Sequence, residues 1–336
     1  TSQMNIGFES TILKSITLVF DWYTKNTTGM LQPIILPSYV GVSGSPTGNV
    51  ASMSNKGLEL ELGYRKSIGE FDFKISANGS YLQNEITDLG TVEYRTGANF
   101  QSSDYELSRN MVGHPIGSFY GFQILDIFQS NAEINYYKDE NGKKIQPNAK
   151  PGDFRFADLD GDGKITADDR TFIGDPTPTW SYGATLNASY KGFDLMVFGQ
   201  GVAGNDVYNG LRRLDIAKAN WTTDALGRWT GEGTSTDFPR LVNGDPNKNF
   251  SSPSNFYLTS GAYFRIKTLQ LGYTFPKPIV GKIGLQLLRI YLSSNNLATF
   301  TKYTGFDPEI GGGSYGIDRG VYPQARSFIA GLSVTF

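Results

Sequence analysis

Between residues 158 and 169 the chain reads Asp-Leu-Asp-Gly-Asp-Gly-Lys-Ile-Thr-Ala-Asp-Asp. Three carboxylates, Asp158, Asp160 and Asp162, stand at positions one, three and five of an EF-hand-type frame. Gly163 takes position six, where such a loop turns sharply. Lys164 would offer its backbone carbonyl at position seven, and Ile165 would anchor the loop in apolar contacts. Asp169 takes the last ligand position, where a bidentate Glu is usual. Oxygen donors packed this densely suit Ca²⁺ better than a transition metal. Asp reaches less far than Glu, so a lower affinity is expected. The role expected of such an ion is structural, ordering a loop. The competing reading is an Asp/Gly-rich turn that binds nothing tightly.

Other chemistry finds little support. His114 is the only His and there is no Cys, which argues against a zinc site or a His-based triad. Glu59 and Glu61 share one strand face. They read better as charges facing a lumen, balanced by Arg65 and Lys74, than as a catalytic pair. No Gly-rich loop follows a strand and opens a helix, so nucleotide binding has no basis. No catalytic constellation stands out, and the chain is not expected to be an enzyme. Tyr208, Trp221, Trp229 and Tyr315 fall in long polar segments. Aromatics there can stack on sugar rings; packing of the loops themselves is the alternative.

The elements that must carry these residues are strands. Leu58, Leu60, Leu62 and Tyr64 alternate with Glu59, Glu61, Gly63 and Arg65. After a turn at 67–70, Phe71, Phe73, Ile75 and Ala77 alternate with Asp72, Lys74, Ser76 and Asn78. Tyr182, Ala184, Leu186, Ala188 and Tyr190 alternate with Ser181 to Ser189, and Lys191-Gly192 is a turn. Successive strand side chains point to opposite faces, so each segment has one apolar and one polar face. The last ten residues place Phe328, Ala330, Leu332, Val334 and Phe336 on one face. Partial or further strands are expected at 1–9, 16–23, 263–275 and 288–292. Arg265 and Lys267 share the parity of Leu269 and Leu271. Either a bulge shifts the register there or both charges stand above the hydrocarbon.

Long polar stretches separate these hairpins: 32–54, 88–179, 199–262, with a short helix expected over 206–218, and 301–326. Short turns alternating with long loops are the signature of an outer-membrane barrel, whose long loops are extracellular. The 336 residues carry a formal net charge of −2, with Gly 40, Tyr 19 and Phe 22. Near-neutral charge gives no case for nucleic acid. No apolar run reaches the length of a membrane-spanning helix, and the start at Thr1 lacks the features of a signal peptide. The fold class expected is all-β: a transmembrane antiparallel barrel, of which residues 1–336 supply roughly nine strands. An odd number suits part of a larger barrel better than a whole one.

Several segments resemble the C-terminal part of SusC-like TonB-dependent outer-membrane transporters: GHPIGSFYGF at 113–122, DLDGDGKITADDRTFIG at 158–174, YFRIKTLQLGYTFP at 263–276, NNLATFTKYTGFDPE at 295–309 and YPQARSFIAGLSVTF at 322–336. The resemblance implies a barrel of about 22 strands plugged by an N-terminal domain. It implies import of large nutrients, glycans or peptides, under a SusD-like surface lipoprotein lid, energised by TonB–ExbB–ExbD through the plug. The chain departs from the family in having no plug, no TonB-contacting segment and no first barrel strands. Phe336 resembles the aromatic C-terminal assembly signal of bacterial outer-membrane barrels. The alternative from another class is a soluble or secreted, Ca²⁺-stabilised all-β carbohydrate-binding module. That reading requires the apolar strand faces to close over a core.

Overall fold

The computed structural model describes residues 1–34, 36, 38–41, 44–99, 106–213, 219–310 and 315–336. Its main element is a nine-stranded antiparallel sheet in which each strand pairs with its neighbours in chain order. The strands are β1 (Ser2–Ile12), β2 (Ile16–Pro33), β3 (Thr47–Ile68), β4 (Phe71–Asp88), β5 (Trp180–Tyr190), β6 (Phe193–Ala203), β7 (Tyr263–Thr274), β8 (Leu287–Thr301) and β9 (Ser327–Thr335). Among the described residues β1 and β9 each have a single ladder partner, which leaves both sheet edges open.

The hairpin turns are local in origin. Leu13 and Lys14 have φ of 50° and 55°, and Lys191 and Gly192 have φ of 48° and 87°. Paired positive φ values match the right-handed twist of flanking strands, as in type I′ hairpins. The β1–β2, β3–β4, β5–β6 and β7–β8 connections lie at one end of the sheet. The connections 34–46, 89–179, 204–262 and 302–326 lie at the other.

Two expected loops are shorter than their composition implies. The last part of the first expected loop, 47–54, is ladder, pairing with β2 on one side and partly with β4 on the other. Residues 199–203 complete β6. Backbone pairing needs no apolar side chain, so polar composition does not exclude a strand; in 47–54 Ala51 and Ser54 are buried, Ala51 against Ile86 and Leu89. The helix expected from residue 206 is absent: Asp206–Asn209 is a strand, paired with Leu258–Ser260 and Ile317–Asp318. Val207 and Tyr208 are buried in that ladder; a β-branched and an aromatic residue suit a buried strand. Residues 214–218 of that expectation lie outside the described residues.

One face of the sheet is apolar and uncovered. Ile6, Phe8, Leu58, Leu60, Leu62, Tyr182, Tyr190, Phe193, Leu271, Ile290, Leu292, Phe328 and Leu332 are all exposed. A soluble sandwich would bury this surface; monomeric soluble proteins rarely leave so large a continuous patch open. Aromatics gather at both margins. Tyr81 and Trp180 meet edge to face at 4.9 Å at the loop end, and Phe193 and Tyr273 lie 4.5 Å apart at the turn end. Trp180 and Tyr190, at the two ends of β5, are separated by ~33 Å at a rise of ~3.3 Å per residue. A tilt of ~40° reduces this to a band of ~25 Å, the height of the apolar belt of a membrane barrel.

The other face is polar. Asp21, Glu59, Glu61, Asn78, Ser181 and Gln200 line a concave hollow of ≈ 670 Å³ on it. Nearer the turn end, Arg289 Nη2 bridges to Asp194 at 2.5 Å. Gly272 lies between them, and a Cβ there would sit 2.5 Å from both side chains.

Arg265 reaches this face through a bulge. Phe198 pairs with Thr268 and Gly199 with Ile266, so Lys267 is an extra residue against β6. Beyond it Phe264 and Ile266 join the outward set, and Arg265 turns inward opposite Gln200.

The buried apolar residues lie chiefly in the long loops. Leu107, Phe119, Tyr208, Tyr257 and Ile317 form one cluster drawn from three connections. Ile127, Phe154 and Phe156 form a second, and Phe128, Ile134 and Ala149 a third. The loops fold on each other over one end of the sheet.

Candidate functional site

The acidic segment hangs from this loop assembly. Ile165 packs against the Ile127–Phe154–Phe156 cluster, as an anchor residue should. Asp158 accepts hydrogen bonds from the amides of Gly161 (2.9 Å) and Gly163 (3.0 Å). Asp160 accepts from the Asp162 amide and Asp162 from the Lys164 amide. These turns gather one carboxylate oxygen from each of Asp158, Asp160 and Asp162 within 4.8 Å of one another. Gly163 has φ of 79°, and a Cβ there would lie 2.6 Å from the Asp139 carboxylate, so both backbone and space require glycine.

Asp169 does not join the trio. It is buried, with one oxygen accepting from the Leu159 amide and the other from the Thr166 amide, each at 2.7 Å. Thr166 and Asp169 form a capping box on the short helical turn Ala167–Asp169. The shorter Asp side chain closes the loop by hydrogen bonding from the position where Glu would reach a metal. The donor set nevertheless fits a hard cation: three carboxylates and the Lys164 carbonyl position, all oxygen. The Lys164 ammonium stands 3.5 Å from Asp162.

The four loop aromatics divide. Tyr208 is 1% exposed, with Tyr257 at 5.3 Å and Phe119 at 5.9 Å. It is a core residue and cannot stack on a substrate, which corrects the sequence expectation. Burial pushes its hydroxyl well above the ordinary tyrosine range. Trp229 donates its indole N–H to Gln129 Oε1 at 3.0 Å and packs on the second cluster, so it holds loops together. Trp221 keeps an exposed portion beside Phe250 and under the Arg212 guanidinium, 3.9 Å from its ring. Tyr315 is exposed. Only these last two present open surface. His114 stacks on Phe172 at 3.6 Å, a packing role. Phe336 is exposed at the turn end of the sheet.

Two charge clusters escaped the sequence reading. Arg109 pairs with Glu106 at 2.9 Å and lies 3.7 Å from the rings of both Tyr94 and Tyr120. Arg265 bonds Asp307 at 2.5 Å, Glu309 at 2.8 Å and Thr299 at 2.7 Å, while Lys267 reaches Glu309 at 2.7 Å. Burial works to raise Asp307. The amides of Gln324 and Glu309 and the Arg265 guanidinium outweigh it and hold the carboxyl below its usual range. The only trace of this network in the sequence was the misplaced parity of Arg265.

A twisted meander with an apolar outer belt, a polar inner face and long loops at one end defines the wall of an outer-membrane-type β-barrel. No protein-family model matches the chain. It is 33% identical over 353 aligned residues to TonB-dependent receptor P3 of Formosa agariphila, covering all of this chain and 34% of that protein. It is 26% identical to TonB-dependent receptor SusC of Bacteroides thetaiotaomicron, again over all of this chain and 32% of that protein. The structure of the RagAB peptide transporter superposes with a TM-score of 0.77 at 25% identity, over 99% of this chain and 35% of that one. Along its whole length the chain is thus similar to TonB-dependent receptors, SusC among them, and it shares the fold of the RagAB transporter. It spans about a third of the length of the relatives it matches.

Proposed function

We propose that residues 1–336 are the C-terminal wall and outer loops of a TonB-dependent importer of large nutrients, glycans or peptides. Plug and first barrel strands belong to the remainder of such a receptor. The carrying observation is a nine-stranded sheet with an uncovered apolar face and both edges open. A lone sheet with unpaired edges is prone to aggregate, whereas further strands of the same barrel would pair with β1 and β9. In this reading substrate binds among the outer loops under a SusD-like lipoprotein, and TonB–ExbB–ExbD drives plug movement. The chain supplies wall, loops and partner surface. Coverage of about a third of each relative and the apolar belt support it. Ca²⁺ at Asp158, Asp160 and Asp162 orders the loop wall beside them.

The test is uptake. Cells carrying the receptor gene should lose growth on the imported oligosaccharide or peptide pool when either the receptor or TonB is deleted. Unchanged growth in the receptor deletion, across glycan and peptide pools alike, would overturn the importer reading.

A further inference from the structure

Next to the acidic segment the loops enclose an open cavity of ≈ 720 Å³, within the range of small-molecule sites. Its charged lining is of one sign: Lys143, Lys144, Lys164, Lys248 and Arg170, with no Asp or Glu. Arg170 is engaged by the Glu106 carboxylate and the carbonyls of Glu106 and Tyr120, and Lys164 lies beside Asp162. Among the described residues Lys143, Lys144 and Lys248 have no ion-pair partner. In the loops that carry them, Asp139 accepts from the amides of Asn141 and Lys143, and Asp245 from those of Asn249, Phe250 and Ser251. Three lysines without an ion-pair partner, lining one concavity that has no carboxylate in its lining, bias its potential positive.

The walls are held firmly. Gln146 bonds the backbone of both Phe154 and Phe156, and Asn247 bonds Phe154, so two sequence-distant loops are clamped together under the lysines. Gly163 to Ala167, the second half of the acidic segment, forms one wall.

We propose that this cavity binds an anionic oligosaccharide, its carboxylate or sulfate groups meeting Lys143, Lys144 and Lys248. The assignment deepens the importer reading and rests on it for the ligand's entry into the cell. An oligosaccharide is favoured over an acidic peptide for a reason of shape. Strand residues Phe122, Phe156 and Arg170 also line it, but Arg170 is paired with Phe122 and the Phe154–Phe156 backbone is bonded by Gln146, Asn247 and Asn249, so little strand edge is left for a peptide backbone to extend. The apolar surfaces of Pro147, Pro246 and Pro253 are rigid faces suited to sugar rings.

The probes are tetragalacturonate, a sulfated carrageenan tetrasaccharide, neutral maltotetraose and tetraglutamate, titrated calorimetrically into the intact receptor purified in detergent. Binding of either anionic sugar is expected, at least tenfold tighter than maltotetraose and weakened by 0.5 M salt, as screening requires. Lys144→Gln/Lys248→Gln should weaken it tenfold or more without lowering the melting temperature. Should the double variant misfold, Lys248→Gln alone, at an exposed position, should weaken binding at least threefold. Equal affinity for anionic and neutral sugars, preference for tetraglutamate, or variants that bind as wild type would each overturn the assignment. The titration needs no TonB, so its failure leaves the uptake test standing, and failed uptake leaves a positive titration intact.

Discussion

Replacing Arg265 by Met should release the 302–326 loop from the barrel wall while leaving the barrel folded. Met keeps much of the side-chain volume and deletes the charge. In the native arrangement the guanidinium is 3% exposed and ties β7 to Asp307, Glu309 and Thr299. Its removal leaves Asp307 buried with two backbone amides and Glu309 with Lys267 alone. Breaking a buried pair from one side costs ~3–5 kcal/mol. At ~1.4 kcal/mol per factor of ten, the open population of the loop should rise by a factor of roughly 100 to several thousand. The assay is amide hydrogen exchange on the micellar receptor: protection within 302–326 should fall by that factor while β3 and β4 amides stay as in wild type. A pH arm sharpens it. Because Asp307 is held below its ordinary range, its contribution is present above the unfolded carboxylate value of ~3.9 and is lost as pH falls through the lower folded value. Wild-type protection of the loop should therefore hold from pH 7 to pH 5 and fall below ~4, a decline much smaller in Arg265→Met. Loop protection within twofold of wild type at pH 7 would refute the reasoning.

On the outward face near mid-belt, Leu62→Arg should destabilise the folded barrel by ~2–4 kcal/mol, whereas Asn78→Arg on the inner face should cost far less; urea titration of heat-modifiable folded receptor compares the two. Deleting Phe336 should cut the fraction of receptor assembled in the outer membrane with little change in its synthesis, read by fractionation; equal assembly removes its role as a signal. Millimolar Ca²⁺ should slow protease cleavage within 158–169, and cleavage at one rate in Ca²⁺ and in chelator would discard the metal. Gly163→Val should cleave fast under both conditions, since its φ of 79° resists a β-branched residue.

Much of the wall was readable from the chain alone, because strand alternation is local. The period-two pattern of 58–64, 71–77, 182–190 and 328–336 predicted faces that the structure displays, and short turns against long loops predicted which connections share an end. The Arg265 parity break left a bulge or a place above the hydrocarbon open, and the structure has the bulge. Boundaries were less legible: ladder at 47–54 is made by backbone pairing with the neighbouring strands, which polar side chains neither signal nor prevent.

Inside the loops no periodicity exists to read, and partners are set by chain segments far apart. Tyr208 looked like an open aromatic and is a core residue, because Phe119 and Tyr257 come from other parts of the loops to cover it. Spacing identified Asp158, Asp160 and Asp162 as one group, since adjacent turns bring them together. It also assigned Asp169 a metal, where the fold gives both its oxygens to backbone amides. The lysine-lined cavity has no linear signature: Lys143 and Lys144 line it together with Lys248 where Gln146 and Asn247 join their loops. Local alternation determined the barrel wall; long-range burial and hydrogen bonding, which no short stretch encodes, decided how the loops pack and which side chains they bring together.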